Sequence, residues 1–347
     1  MLIPRSGTTA LDVVGQLLGM QSQIPTSPYV GLWARIQGFR IEDLASLLRD
    51  RSVVRLAMMR STIHLVTSND CLWFRSDLQA SMDRLLRGTF GRSLEGLDLL
   101  EVAEAGRKLA DETPHTLAEL GLLLRSRWPD RDAEALANVV RAMVPLVQVL
   151  PRGLWGESGL ARHTSIGLWL GREPAIEPHL DDLVLRYLSA YGPASVADIQ
   201  AWSGLTGLNK VVDRLGDRIA LYVDEDDNEL VDDARMPLAD ADNEAPVRFL
   251  AEFDSAVISH ADRRRVITDE HRRAISTKNG LVPGTVLVDG FVRATWKVVK
   301  RNGTADLRVA VLERTSRGDR LTIEQEGKRL LEFLATEDEI QDIHLSP

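Results

Sequence analysis

Histidines, basic side chains and one cysteine are the residues of this 347-residue chain whose types and spacing bear most directly on chemistry. Cys71 is the single cysteine, which rules out a disulfide within the chain and a metal site built on several cysteines. The seven histidines lack the paired spacing by which one helix presents two imidazoles to zinc. We therefore expect no metal and no cofactor, and the cysteine usage favours a reducing, cytoplasmic location.

Two basic clusters lie in the C-terminal third. Residues 260–273 contain five arginines against three acids. The second cluster surrounds the dipeptide Asn302-Gly303, a strong hairpin signal, and contains Arg293, Lys297, Lys300, Arg301 and Arg308. A hairpin with basic flanks suits a DNA groove or backbone, so we predict DNA contacts here. The alternative is that these side chains pair with acids of the chain itself.

The acidic excess of the chain is concentrated in one segment. The chain has 42 basic and 51 acidic residues, a net charge of -9. Residues 223–244 contain ten acids and one base, Arg235, and account for the whole excess. The remainder is balanced, which argues against a uniformly basic binder of the histone type but leaves room for nucleic acid binding through local basic patches.

The elements that must position these residues are mostly helical over the first 220 residues, in a pattern that occurs three times. Each repeat has two helices, a short helix and one or two strands. The short helices are expected at 41–51, 133–144 and 208–218, and the strands at 61–66, 146–150 and 219–223. This layout is typical of a winged helix-turn-helix unit, with ordinary helical hairpins as the alternative. The short helices carry almost no net charge, so we expect them to act as a scaffold and not to read bases in the major groove.

Hydroxyl residues mark the helix starts in this pattern. Thr116 and Ser195 are each followed three residues later by an acid, which predicts capping boxes. Ser27-Pro28 is a third helix start, with proline at the first helical position. Before it, apolar spacing predicts a helix from Ala10 to Met20.

From about residue 247, short apolar and β-branched segments predict a small antiparallel sheet or barrel, closed by a helix over 320–335. We therefore predict a helix-rich α+β fold with three tandem winged helix-turn-helix units and a C-terminal antiparallel β-barrel-like domain. The predicted domains span 1–90, 91–178, 179–245 (with an acidic linker) and 246–347. The sequence shows no signal peptide and no apolar run of 18 residues, so we expect no membrane span.

Several motifs in a fixed order resemble the winged-helix DNA glycosylases of the AlkZ/YcaQ type. They are Leu18-Gly-Met-Gln-Ser-Gln23 with 27–33, 59–66, Phe253-Asp254 with 259–263, and 284–296. The resemblance implies three winged units arranged as a C around double-stranded DNA, with a C-terminal β-barrel, and we expect a monomer. It implies excision of bulky or cationic N7-alkylpurines, including crosslinks. It also implies that a Gln-apolar-Gln motif holds the nucleophilic water, and Gln21 and Gln23 fall on that motif.

The implied chemistry suits neutral amides. A glutamine does not titrate usefully, so it orients a water by hydrogen bonds instead of deprotonating it. An N7-alkylated purine is already cationic and leaves without protonation, so orientation of water suffices. No Schiff-base lysine is needed, which makes the reaction monofunctional.

The spacing of the two glutamines requires a break in the helix, since residues i and i+2 of a helix diverge. Pro25 disfavours helical geometry at Ile24, so we expect Gln21 on the last turn and Gln23 in the extended exit. The alternative is a pair of surface glutamines on a helix end.

Departures from the family pattern concern the activity more than the fold. The middle residue of the motif is Ser22 where an apolar residue is typical, Ser61 stands in place of glycine, and Ser255 in place of asparagine. We also expect the family's leading helix, with its own basic residues, to be truncated before Met1.

The residues that we predict to contact DNA are His64, His260, Arg263, Arg264, Arg293, Lys297, Lys300 and Arg301. For His64, a structural histidine bonded to backbone is the alternative. The function predicted from these observations is a monofunctional DNA glycosylase. The alternative functions are a non-catalytic winged-helix DNA-binding or regulatory protein, and a protein-interaction array.

Overall fold

The computed structural model describes residues 2, 5–238, 240, 242–277, 280–301, 303–336 and 339–346. The chain forms two compact units. The larger unit comprises residues 10–26 and 40–237, and the smaller unit comprises residues 1–9, 27–39 and 238–347. The predicted domain boundaries at residues 90, 178 and 245 stay predictions.

The helices, in chain order, are α1 (Ala10–Gln16), α2 (Ser27–Arg35), α3 (Ile41–Arg49), α4 (Ser68–Phe74), α5 (Gln79–Phe90), α6 (Leu99–Glu112), α7 (Leu117–Leu124), α8 (Ala133–Met143), α9 (Ile166–Leu170), α10 (Leu180–Tyr191), α11 (Val196–Ser203), α12 (Asn209–Leu215), α13 (Ser255–Ile258), α14 (Asp269–Ile275) and α15 (Arg317–Leu334). Within the described ranges, no helix is both long enough and apolar enough to cross a membrane.

The strands are β1 (Met20–Gln21), β2 (Val53–Ala57), β3 (Ile63–Thr67), β4 (Leu146–Gln148), β5 (His163–Ser165), β6 (Ile219–Val223), β7 (Glu229–Asp233), β8 (Arg248–Leu250), β9 (Gly284–Val288), β10 (Phe291–Arg301), β11 (Thr304–Val311) and β12 (Ile340–Ser346).

The larger unit is built around a five-stranded antiparallel sheet with the order β1-β3-β2-β4-β5. All five residues of β2 are buried, so this strand lies inside the core. Helix α8 covers part of that core with Leu136, Val139 and Val140, spaced by three and four residues so that they share one helical face. Because α6 passes close to α8, a Cβ atom at Gly106 would lie 2.2 Å from Val140.

Helix starts in the larger unit follow the sequence-based predictions. Thr116 and Ser195 both form reciprocal capping boxes with the acid three residues later, which confirms those two predictions. The last part of the unit runs α10, α11, α12 and then the hairpin β6–β7. Tyr187 packs between Tyr191 and Trp202, at ring-centroid distances of 5.3 and 5.1 Å, and joins α10 to α11.

The smaller unit contains a second five-stranded sheet with the order β12-β11-β10-β9-β8. Of the predicted alternatives, sheet or barrel, the described strands form an open sheet with β8 and β12 at its edges, and no closed barrel is found among them. Strand β12 pairs with β11 in parallel, and the rest of the sheet is antiparallel. The parallel pair arises because α15 crosses over between the two strands. Strands β10 and β11 form the predicted hairpin pair, while Asn302 itself lies outside the described residues.

A buried ion pair lies within the smaller unit. Arg35 on α2 donates from both Nη atoms to the carboxylate of Asp254, at 2.8 and 2.7 Å. Asp254 also accepts a hydrogen bond from the Ala256 amide at the start of α13. Both side chains are almost fully buried, at 3% and 1% exposure. One of the motifs quoted for the family resemblance, Phe253-Asp254, thus supplies the carboxylate of a buried ion pair.

We expect Asp254→Ala to lower the free energy of unfolding of the smaller unit by about 3–5 kcal/mol, because the substitution leaves Arg35 charged and buried without its carboxylate. Urea denaturation of the full chain measures the effect. The matched control is Asp262→Ala, which breaks the exposed pair with Arg264 and should cost no more than about 1 kcal/mol. Equal losses for the two variants would contradict this account of the pair.

Candidate active site

Gln21 and Gln23 lie side by side in the larger unit. The Gln21 Nε2 atom donates a hydrogen bond to Gln23 Oε1 at 2.5 Å. Gln21 is half-buried and Gln23 is exposed, so solvent reaches the pair. The structure therefore brings together the two residues that the motif singled out.

The backbone around Gln21 differs from the prediction. Helix α1 ends at Gln16, and Gln21 belongs to strand β1, not to a last helical turn. The helix stops because Leu18 and Gly19 have positive φ angles of 53° and 99°, and Gly19 donates back to Val14 O. A side chain at Gly19 would collide with β3, since a Cβ atom there lies 2.5 Å from Val66 Cγ1. The extended segment beyond Gly19 then lets residues i and i+2 point to the same side.

Arg60 fixes the orientation of Gln21. Its Nη2 atom donates to Gln21 Oε1 at 2.9 Å, and its Nη1 atom donates to the carbonyl oxygen of Trp202. An amide oxygen that accepts from Arg60 leaves the amide nitrogen to face Gln23, so the polarity of the pair is set. Arg60 and Ser61 have left-handed φ angles of 54° and 56° in a short 3-10 turn between β2 and β3.

The two serine departures in this region have structural consequences. Ser61 sits at a positive φ, which explains why glycine is typical at this position. Ser22 is fully buried between the two glutamines, and its amide donates to Ile63 O at 2.7 Å. Arg55, also buried, donates to the Ser22 hydroxyl at 2.9 Å and to its carbonyl oxygen at 2.7 Å. A polar middle residue is therefore matched here by a buried arginine on β2.

His64 lies inside the sheet, directly opposite Gln21 in the register of β1 and β3. Its Nδ1 atom lies 3.0 Å from Thr62 O, which is the backbone-bonded arrangement named above as the alternative to a DNA contact. Burial, and then the charge of Arg60, lower the pKa of the His64 imidazole to about 3. The ring is therefore neutral at pH 7 and forms part of the wall beneath the amide pair.

The other predicted DNA contacts belong to the smaller unit, and several have partners there. Arg264 pairs with Asp262 at 2.7 Å, Arg293 with Glu313 at 2.6 Å, and Lys300 with Glu339 at 2.8 Å. His260 is buried, with its Nε2 atom 3.2 Å from Arg265 Nη1, and its carbonyl oxygen accepts from Arg263 Nε at 3.4 Å. Lys297 and Arg301 are exposed on β10. Those two are the predicted side chains best placed for a phosphate.

Arg60 and Arg55 are site residues that the sequence-based analysis did not single out. Both lie in or beside β2, which was not predicted as a strand. The sequence signal for Arg60 was its position next to Ser61 in a family motif. Glycine is typical at position 61, which implies a left-handed turn there.

We expect acid to destabilise the larger unit through His64. In the unfolded chain the imidazole titrates near 6.5, whereas its pKa in the native state is about 3. Below pH 6.5 the unfolded state binds a proton that the native state does not, so the free energy of unfolding falls by about 1.4 kcal/mol per pH unit. Urea denaturation of the parent and of His64→Gln at pH 7.5 and pH 5.5 measures the difference.

The variant should lose less stability between these two pH values than the parent. His163 contributes in the same direction in both proteins, since burial lowers its pKa to about 4. The control is Gln37→Ala, which replaces an exposed side chain that does not titrate and should keep the parent's pH dependence. An unchanged pH dependence in His64→Gln would show that the native state protonates this ring freely.

Comparison with known proteins identifies the family. A family model described as DNA glycosylase AlkZ-like matches residues 14–333. A curated relative from Streptomyces sahachiroi, an interstrand DNA cross-link repair glycosylase, is 24% identical over 329 residues, covering 86% of this chain and 84% of the relative. The solved structure of the Streptomyces sahachiroi DNA glycosylase AlkZ is similar with a TM-score of 0.78 at 21% identity, covering 99% of this chain and 95% of that one. The chain therefore belongs to the AlkZ-like DNA glycosylase family.

Proposed function

We propose that this chain is a monofunctional DNA glycosylase that removes cationic, N7-alkylated purines from double-stranded DNA. Gln21 and Gln23 place the water that attacks C1′ of the damaged nucleotide. The observation that carries the proposal is the direct contact of the two amides at a solvent-accessible position, with their polarity set by Arg60.

The amide pair keeps hydrogen-bonding capacity after its internal contact. Gln21 retains a second N–H, and Gln23 retains both N–H groups and one lone pair on Oε1. A water beside the pair can donate to Gln23 Oε1 and accept from an amide N–H, which turns a lone pair on its oxygen toward the sugar. The N-glycosyl bond breaks with its electron pair going to the purine, which becomes neutral. The water oxygen bonds to C1′, and its proton passes to solvent.

Arg60 acts in this scheme as a positioning residue. Its guanidinium holds the Gln21 oxygen, so the amide nitrogen and not the oxygen faces Gln23. The contact of its second Nη atom with Trp202 O ties this orientation to the end of α11. Because the Gln21 oxygen already accepts from a charged guanidinium, the Gln23 oxygen is the better acceptor of the two for the water.

The order of elements supports a winged helix-turn-helix arrangement for the DNA-binding scaffold. Helices α10–α12 followed by the hairpin β6–β7 have the layout of one such unit, and α6–α8 followed by β4 and β5 resemble a second. We propose three such units, with Lys297 and Arg301 contacting the DNA backbone from the smaller unit. The name of the Streptomyces sahachiroi relative, an interstrand DNA cross-link repair glycosylase, supports crosslinked DNA as a substrate. We propose in addition that the excised base is a bulky or crosslinked purine and that the chain acts as a monomer.

The alternative proposal is a non-catalytic winged-helix DNA-binding protein. The observation in its favour is Ser22, a buried polar residue at a position where the family has an apolar one. A protein of this kind binds DNA without releasing a base, so a base-release assay separates the two proposals.

We expect the parent protein to create abasic sites in a duplex that contains N7-methylguanine. The double variant Gln21→Ala/Gln23→Ala should release the base at least about 100-fold more slowly, because the water loses its orienting groups. Alkaline cleavage of a labelled strand under single-turnover conditions measures the rate. The control is the exposed Gln37→Ala, which should match the parent. Equal rates for the double variant and the parent would remove the amides from the mechanism, and no release by the parent would favour the alternative.

We expect Arg60→Ala to lower the single-turnover rate by about tenfold, because Gln21 then turns freely between its two amide orientations. Binding of an undamaged duplex should change little, since Arg60 acts through Gln21. The control is Arg49→Ala, which removes an exposed arginine paired with Glu42. A loss of affinity with an unchanged rate would assign Arg60 to DNA binding instead.

A further inference from the structure

We propose that a pocket in the larger unit binds a phosphate group of the DNA backbone through Arg141. The pocket has a volume of about 270 Å³, opens to solvent and is lined by residues from β3, α7, α8, β4 and β5. Its polar lining residues are Arg141, Gln148, His163 and Thr116. The inference deepens the proposed function. It rests on that function in one respect, which is that the phosphate belongs to DNA.

Arg141 carries a positive charge that the described part of the chain does not balance. Its guanidinium is largely buried and donates to the backbone carbonyl of Ser61. Among the described residues, no carboxylate forms an ion pair with it. Burial lowers the pKa of the Arg141 guanidinium below its ordinary value, yet the group stays charged at neutral pH. A partly desolvated cation with a neutral partner gains most from an anionic ligand.

The surroundings of the pocket add positive charge and no free negative charge. After burial, the positive charges of three arginines lower the pKa of the His163 imidazole, namely Arg141, Arg152 and Arg55. No carboxylate is among the groups that alter this pKa. One carboxylate that contacts the lining is Glu119, which accepts from the Thr116 amide. Arg162 already balances Glu119 through two hydrogen bonds of 2.8 and 2.9 Å.

Two further groups suit a phosphodiester. The Gln148 side-chain oxygen is buried and has no hydrogen-bond partner within the described part of the chain. Turned by 180°, the same amide presents N–H donors to an anion. Ile63, Leu117 and Ala161 form apolar walls, which match the deoxyribose that flanks each phosphate. A bare nucleobase would leave the charge of Arg141 unbalanced, whereas a phosphodiester balances it.

The position of the pocket assigns it to binding and not to chemistry. Ile63 lines the pocket, and its carbonyl oxygen accepts from Ser22, between the two glutamines. Side chains alternate along a strand, and Gln21 faces His64 in the register, so the side chains of Ile63 and Gln21 lie on opposite faces of the sheet. A phosphate held by Arg141 therefore anchors the DNA strand near the amide pair without touching the reacting sugar.

The test is the salt dependence of binding of the full chain to an undamaged duplex, followed by fluorescence anisotropy. We expect Arg141→Gln to make the slope of log K against log salt shallower by about 0.9, the value for one lost phosphate contact. Affinity at 0.1 M salt should fall by about five- to tenfold. The matched control is Arg131→Gln, which also removes an arginine bonded to a backbone carbonyl but lies outside the pocket, and it should keep the parent slope.

Two more variants protect the test against a folding defect in Arg141→Gln. Arg141→Lys keeps the charge and should keep the parent slope. Ala161→Trp fills the pocket while all charges remain, and it should reproduce the shallower slope. Parent slopes in both Arg141→Gln and Ala161→Trp would overturn the proposal, and Ala161→Trp alone decides it if Arg141→Gln does not fold.

A last arm distinguishes the source of the phosphate. Inorganic phosphate is titrated against the parent and Arg141→Gln, and the melting temperature is followed. Stabilisation of the parent alone, together with unchanged DNA slopes, would assign the pocket to a free anion and overturn the DNA assignment. The undamaged duplex releases no base, so a shallower slope supports the pocket even if the parent proves inactive toward N7-methylguanine. If the parent releases N7-methylguanine but the Arg141 and Ala161 variants keep the parent's salt slope, the glycosylase proposal stands and only the pocket proposal is overturned.

Discussion

The hydrogen bond from Arg60 to the amide oxygen of Gln21 sets the polarity on which the candidate site depends. An amide pair without it has two equivalent arrangements, and only the observed one places Gln23 Oε1 against the Gln21 amide nitrogen, so that an acceptor and a donor lie side by side for a water. The bond is possible because Arg60 occupies a left-handed backbone conformation, which turns its side chain out of the β2–β3 connection. Local backbone conformation thus fixes the direction in which a neutral site presents its donors and acceptors.

Elements marked by local chemistry were predicted well from the sequence. The capping boxes at Thr116 and Ser195 depend on side chains three residues apart, and the structure has both. The short helices α3, α8 and α12 lie within the predicted segments because each carries a regular apolar face. The mixed α+β class follows from such local signals, and the solved relative shares the fold.

Features decided by contacts between distant segments were harder to predict. The end of α1 was assigned to Pro25, but the left-handed pair Leu18 and Gly19 stops the helix earlier, where β3 leaves no room for a side chain. The short apolar segments predicted a small antiparallel sheet or barrel without deciding between them, and the family resemblance implied the barrel. The order of the strands is instead set by the crossover of α15. The contact of the two glutamines was predicted only through the family motif, since an i, i+2 pair carries no geometric signal until the backbone is known to be extended.

The pairing of Ser22 with Arg55 has a consequence for how this site varies among relatives. An apolar side chain at position 22 would remove the hydroxyl that accepts from Arg55 Nε and would leave that N–H facing a hydrocarbon inside the core, while Arg55 Nη2 would keep its bond to the backbone carbonyl of residue 22. Positions 22 and 55 are therefore expected to change together during evolution. Relatives with an aliphatic centre in the motif should carry an uncharged residue on the neighbouring strand, so this correlated exchange is a signature by which serine-centred members of the family can be grouped.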